Sequence, residues 1–432
     1  MLGIGPAGPT GPSGSNGPGL QGAAEASRPP GRGLDDTERD AWVVLSAVDG
    51  LGPATFARLL RAFGSAGAIL AIASRPAGVE SLLGVASACA ADSDERNGER
   101  WLDPKVAAGI VVAASERQGI IGRVEALGLT VITLEDVGYP ARLLSIRLPP
   151  HVMFVRGEAA ALRAAHAVAV VGTRRPTEEG RHIASRIGAA LARTGAVVVS
   201  GLAVGIDGAA HAAVVDERGP TVGVIAGGHG RLYPRAHRRL ADRIVAEGGV
   251  IVSEMAPDVP PMRGLFPRRN RLISGLSDTT VVVEAGRRSG ALITAAWALE
   301  QGRGCYVGPG PLGSRTAEGC LAFLRAYPDL VRVVAGVSEL IEDLRLPGAG
   351  DTRTASPRLA AIVADMGPTE RLLAAALASG RATADELVGA TGLPIGAVLG
   401  GLTLLEMRGL IVAAYGVYRA AGRLATVDAS AA

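Results

Sequence analysis

Arginines set beside glycines are the residues of this chain whose types and spacing could do chemistry. Gly172-Thr173-Arg174-Arg175-Pro176 follows a short apolar run, and Phe266-Pro267-Arg268-Arg269-Asn270-Arg271 packs three guanidinium groups and an amide into six positions. Two further stretches share the character: Ser200-Gly201-Leu202-Ala203-Val204-Gly205-Ile206-Asp207, and Glu284-Ala285-Gly286-Arg287-Arg288-Ser289-Gly290. A guanidinium offers a planar, forked set of donors that matches phosphate. Glycine lets backbone approach a ligand closely, and a helix that starts there adds free N–H groups and a positive dipole end. The chemistry these residues suggest is the binding of phosphate.

Other chemistries fit less well. A dinucleotide fingerprint needs G-x-G-x-x-G after the first strand, and this chain has one glycine and two arginines there. Glu284 could act as a general base, yet no nucleophile, metal cluster or second carboxylate lies near it in sequence. A buried Glu284 paired with an arginine of the pocket is the expectation. His211 has no companion at metal-ligand spacing and reads as a packing or capping residue. No cofactor and no metal are expected.

The elements that must position these residues are short, continuous β-branched runs: Val168–Val171, Ala196–Ser200, Thr221–Ala226, Gly249–Ser253 and Thr279–Glu284. Helix-length segments separate them. That alternation predicts an α/β fold, a Rossmann-like doubly wound parallel sheet covered on both faces. Ligands of such sheets bind just beyond the strand ends, where the arginines and glycines fall. A helix is expected to begin at Pro176 and another near Phe266.

The flanks divide the chain further. Residues 1–36 are rich in Gly, Pro and Ser and read as a disordered tail. Residues 37–100 are expected to form a small helical module, in which Asp49-Gly50-Leu51-Gly52-Pro53 has the outline of a helix-hairpin-helix turn. Residues 101–345 would hold the extended Rossmann-like domain, and 346–366 a Gly/Thr/Pro linker. Residues 367–425 read as a winged helix: a helix over Thr369–Leu377, a capping box at Thr383-Ala-Asp-Glu386 opening a second, a third over Pro394–Leu405, and a wing beyond Gly409. That third helix has no basic or amide side chain to meet phosphates or base edges, so it is expected to contact protein or to pack.

Bulk composition narrows the class. The chain has 432 residues, 48% hydrophobic and 20% charged, with a net charge of +3, which suits a soluble protein of several domains. Lys105 is its one lysine, so the positive charge is arginine. No run of about 18 apolar residues suggests a membrane span, and no signal peptide is read, so no membrane partner and a cytoplasmic location are expected. Cys89, Cys305 and Cys320 are too dispersed for a disulfide framework or a metal motif. With aromatics at only 3%, a broad base-stacking platform is not expected.

The motifs together resemble the DprA/Smf family of DNA-processing proteins across roughly 136–344. The pieces are Gly172-Thr-Arg174, Ser200-Gly201-x-Ala203-x-Gly205-Ile-Asp207, His211, Tyr233-Pro234, Ser253-Glu254, Phe266-Pro267-x-Arg269-Asn270-Arg271, Val283-Glu284-Ala285, Ser289-Gly290-x-Leu292-Ile293-Thr294, Gly302-Arg303 and Pro309-Gly310. Two stretches depart from the family's pattern: Gly228–Pro234 is short and lacks an Asp, and Gly319-Cys320-Leu321 replaces Gly-x-Asn. The resemblance implies a non-catalytic, single-stranded DNA-binding protein that protects incoming DNA and loads RecA recombinase in natural transformation. It also implies a homodimer and contact with single-strand-binding protein. The DNA-contacting positions it implies are Gly172, Arg174, Ser200, Gly201, Gly205, Arg269, Asn270, Arg271, Ser289 and Gly290. The alternative is a nucleotide-processing Rossmann enzyme of the phosphoribohydrolase type, whose Pro-Gly-Gly-x-Gly-Thr-x-x-Glu loop is replaced here by Glu284–Gly290.

Overall fold

The structure, a computed structural model, describes residues 33–91, 101–346, 366–378, 381–414 and 416–420. The tail expected over 1–36 and the linker expected over 346–366 therefore lie almost wholly outside the described residues.

At the centre is a nine-stranded sheet. Its strands are β1 (Thr130–Thr133), β2 (Val152–Gly157), β3 (Ala167–Val171), β4 (Val197–Ser200), β5 (Thr221–Val224), β6 (Val250–Ser253), β7 (Thr279–Val282), β8 (Gly304–Val307) and β9 (Val331–Val333). They lie in the order β1-β2-β6-β5-β4-β3-β7-β8-β9. Strands β3 to β9 are parallel, and β1 and β2 extend the sheet as antiparallel strands beyond β6. Both faces are covered, as the continuous apolar runs require. Along β3, Ala167, Ala169 and Val171 join one core, shared with helices Leu265–Gly275 and Gly290–Glu300. Val168 and Val170 point the other way, into a core with helices Glu178–Arg193 and Ile206–Asp216. The chain runs β3-β4-β5-β6 toward one edge, then returns to place β7 on the other side of β3. That reversal opens a crevice beyond the carboxyl ends of β3 and β7.

The helical module is larger than its sequence suggests. Helices Asp36–Ser46, Pro53–Phe63, Ala66–Ala73 and Gly78–Ala91 are joined by Pro104–Ser115 and Arg117–Ala126. Val106, Ile110 and Val124 of the last two share a core with Trp42, Phe56, Leu59 and Ile69. The expected boundary at residue 100 therefore cuts through a packed unit that continues to Ala126. Strand β2 ties it to the sheet by alternation: Val152 and Phe154 face the helices, while Met153 and Val155 face the sheet core. A three-way hydrogen bond reinforces the module, with Glu38 accepting from Trp42 Nε1 (3.0 Å), Ala66 N (2.6 Å) and Gly67 N (2.8 Å).

The C-terminal residues form helices Pro368–Ala378, Ala384–Thr391 and Ile395–Met407 against β10 (Arg381–Thr383), β11 (Ile411–Ala414) and β12 (Val417–Ala420). The antiparallel order β10-β12-β11 is that of a winged helix. The capping box is present, with Thr383 N donating to Glu386 Oε2 (2.7 Å) and Glu386 N donating to Thr383 Oγ1 (3.3 Å). Strands β8, β9 and β10 go beyond the runs read from sequence, with β9 at the edge of the large sheet. Each is four residues or fewer, and Val331-Arg-Val lacks a continuous apolar signal.

Candidate nucleic-acid interface

Three loops meet at the crevice because glycine removes the atoms that would keep them apart. A Cβ on Gly172 would lie 2.5 Å from Ile206 Cγ1 and 2.9 Å from the Glu284 carbonyl oxygen. The loop after β3 can therefore nest between the loops after β4 and β7, where Thr173 N donates to Glu284 O (2.7 Å) and Ile206 N donates to Thr173 O (3.3 Å). Gly205, at φ +92, turns the chain sharply into the helix Ile206–Asp216.

The result is a cavity of about 450 Å³. Residues at the start of three eleven-residue helices line it: Asp207 of Ile206–Asp216, Phe266 and Pro267 of Leu265–Gly275, and Gly290 and Ala291 of Gly290–Glu300. Helix N-termini bring free N–H groups and partial positive charge, so their convergence favours an anion.

Of the ten expected contact positions, six line this cavity: Gly172, Arg174, Arg269, Asn270, Ser289 and Gly290. They differ in availability. Arg174 is exposed at the mouth, its guanidinium carbon 5.1 Å from the centre of the Phe266 ring. Tyr233, half exposed, meets the same ring edge-on at 5.9 Å. Arg269 lies in the floor, 7% exposed, with Nη1 donating to the carbonyl oxygens of Gly201 (2.8 Å) and Val224. Burial lowers its pKa to about 10, against the opposing pull of Asp207. Asp207 is buried too. Burial pushes its carboxyl up, and Arg269 and the amides of Ala203, Gly201 and Gly172 pull it back. Asn270 Nδ2 donates to Gly290 O (3.0 Å), tying the arginine helix to the loop after β7. Ser289 caps the next helix through Ala291 N (3.3 Å).

The other four are placed elsewhere. Ser200 is fully buried, its Oγ donating to Val170 O (2.6 Å) across β3 and β4. Gly201 sits beneath Arg269, and Gly205 shapes the turn behind the cavity. Arg271 points away: its Nη2 donates to Glu254 Oε1 (2.6 Å) in a buried pair. Helical geometry is the reason, since residues two apart lie about 200° around the axis. A direct phosphate contact by Arg271 or Ser200 is not what these positions offer.

Glu284 corrects another expectation. It pairs with no arginine among the described residues; its carboxylate accepts from Thr177 N (2.9 Å) and from Thr177 Oγ1. Thr177 in turn caps the helix Glu178–Arg193, so that helix starts after Pro176 rather than at it. His211 is buried, with Nδ1 2.9 Å from Thr221 Oγ1, and burial lowers its pKa to about 3. That is a packing role. Sequence reasoning missed Phe266 as a partner of Arg174, and Arg288 as a lining residue. The signal for the second was present in the Arg287-Arg288 doublet.

Comparison with known proteins agrees with this geometry. The family described as DNA recombination-mediator protein A matches residues 130–344, and the DprA winged helix domain matches residues 356–416. A DNA processing protein DprA of Mycobacterium tuberculosis is 38% identical over 341 residues, covering 78% of this chain and 82% of that protein. The DNA processing protein DprA of Bacillus subtilis is 42% identical over 198 residues, covering 46% of this chain and 66% of that protein. The X-ray structure of DNA processing protein A from Streptococcus pneumoniae superposes with a TM-score of 0.55 at 25% identity, covering 72% of this chain and 98% of that one. With the matched domains, the sheet and the motif order in agreement, the chain belongs to the DprA/Smf family of DNA-processing proteins.

Proposed function

We propose that this protein binds single-stranded DNA by holding a backbone phosphate in the cavity beyond β3 and β7. One observation carries the reading: Arg174, exposed and without an ion pair among the described residues, stands at the mouth of a cavity where three helix N-termini converge. Positive charge that no internal carboxylate neutralises is what a polyanion needs. The cavity is large enough for a nucleotide-sized group. In this reading Gly172 and Gly290 let the backbone close in, Asn270 and Ser289 shape the wall, and Arg269 adds charge from below.

The protein is a non-catalytic binder in this reading. A phosphoribohydrolase would need a free carboxylate after β7, and both oxygens of Glu284 are held by Thr177. Beyond binding, we infer the place that the family resemblance implies: protection of incoming single strands in the cytoplasm, displacement of single-strand-binding protein, and loading of RecA by a homodimer during natural transformation.

The test is fluorescence polarisation with a labelled oligonucleotide over a salt series. Arg174→Ala should bind more weakly, with a slope of log affinity against log salt shallower by about 0.7, the share of one single-strand phosphate. Identical curves for variant and wild type would place the DNA elsewhere.

A further inference from the structure

Three arginines line the cavity, and their surroundings separate them. Arg269 is held in the floor by two carbonyls and by Asp207. Arg174 is free at the β3 side. The third, Arg288, stands on the β7 side in the loop before helix Gly290–Glu300, and it is exposed. Its neighbour Arg287 reaches Glu318 at 3.7 Å, whereas Arg288 makes no ion pair or hydrogen bond among the described residues. The backbone beneath Arg288 is fixed: Ser289 N donates to Gly286 O (2.9 Å), closing a tight turn, and Ser289 caps the following helix. A fixed backbone with an unpaired guanidinium turned to an anion-favouring cavity is the condition of Arg174, repeated across the switch point.

We propose that Arg288 is a second phosphate-contacting residue, gripping the strand from the β7 side while Arg174 grips it from the β3 side. This rests on the reading of the cavity as a single-strand site. A phosphodiester presents two non-bridging oxygens, and a guanidinium on each side satisfies both without requiring any base. The pair would fix the direction in which the backbone crosses the cavity, which a single contact cannot do.

The experiment measures binding of the full-length protein to an oligothymidylate by polarisation from low to moderate salt. Wild type is compared with Arg288→Ala, Arg288→Lys, Arg174→Ala and Arg325→Ala. Arg325 lies in the last turn of helix Glu318–Ala326 and controls for the loss of one positive charge. Thermal melts check folding, which an exposed, unpaired arginine should not affect. The expected result is a loss of about tenfold for Arg288→Ala, with a shallower salt slope. Arg288→Lys should restore the slope but not the full affinity, because an ammonium lacks the fork. Arg325→Ala should match wild type. If Arg174→Ala weakens binding while Arg288→Ala matches wild type in affinity and slope, the one-sided site stands and this proposal falls. If Arg288→Ala and Arg325→Ala weaken binding equally, the effect is general charge and the proposal also falls. If wild type does not bind, both it and the cavity reading fall.

Discussion

Helix Leu265–Gly275 and helix Ile395–Met407 are the two that invite a nucleic-acid reading, one from its arginines and one from its place in a winged helix. They are built in opposite ways. The first carries Arg268, Arg269, Asn270 and Arg271 and buries the last three. The second carries no cation and exposes Ile395, Leu399, Leu404 and Met407. A run of arginines is therefore not in itself a contact surface. A guanidinium inside a protein must be paired, and once paired it holds the fold together. The charge that remains for a ligand belongs to the loops around that helix, where Arg174 has an aromatic ring for company and, among the described residues, no carboxylate.

The comparison breaks first if Arg269 is dispensable. Arg269→Ala leaves Asp207 buried without its counter-charge and orphans two carbonyl groups. It should cost about 3–5 kcal/mol of stability, read by urea denaturation, and remove DNA binding along with it. A stable variant that merely binds weakly would make Arg269 a surface contact after all.

Acid probes the same interior. His211 lies near Arg269 and His237, buried, with a folded pKa of about 3 against an ordinary 6.5. Its folded pKa is depressed, so the unfolded chain binds the proton first and stability falls as pH drops below about 6.5. His151, stacked on Phe56 at 4.6 Å, and His229 are both lowered to about 4 by burial and act in the same direction. Each neutral histidine adds up to about 1.4 kcal/mol per pH unit to that slope. Between pH 6.5 and 5, His211→Gln should remove about 2 kcal/mol of the acid dependence. An unchanged slope would mean that His211 is accessible in the folded state.

Arg174→Ala sharpens the contrast from the outside. It should weaken single-strand binding about tenfold while changing stability by no more than about 1 kcal/mol, the scale of an exposed cation–π contact. A large fall in melting temperature would put Arg174 with Arg269 rather than opposite it. The smallest effect is expected in the winged helix. Ile395→Ser with Leu399→Ser should leave single-strand and duplex binding within about twofold and stability within about 0.5 kcal/mol per site. Loss of duplex binding would show that this helix reads DNA despite its apolar face.

Much of this was legible beforehand for identifiable reasons. The β-branched runs stood out because strands buried on both faces need apolar residues at every position, and the capping box at Thr383 because its partners are three residues apart. The helices Pro104–Ser115 and Arg117–Ala126 fall on the other side of the boundary expected at residue 100, because nothing local records that Ile110 and Val124 belong to the same core as Leu45 and Phe56. The partner of Glu284 is not legible locally either. Thr177 lies 107 residues away, and an arginine was simply the more obvious mate.

The sequence by itself determined the period of the elements, the order of strands and helices, and the placement of glycines and arginines at the ends of strands. These follow from local propensity and from burial, which act on neighbours along the chain. Only the tertiary structure decided which arginines are free. Arg174, Arg269, Arg271 and Arg288 are alike as residues. Whether each meets a carboxylate, a carbonyl, an aromatic ring or an open cavity depends on groups brought in from distant strands. Pairing of charge is long-range in sequence, and it separates the arginines that hold the fold from those left to hold a ligand.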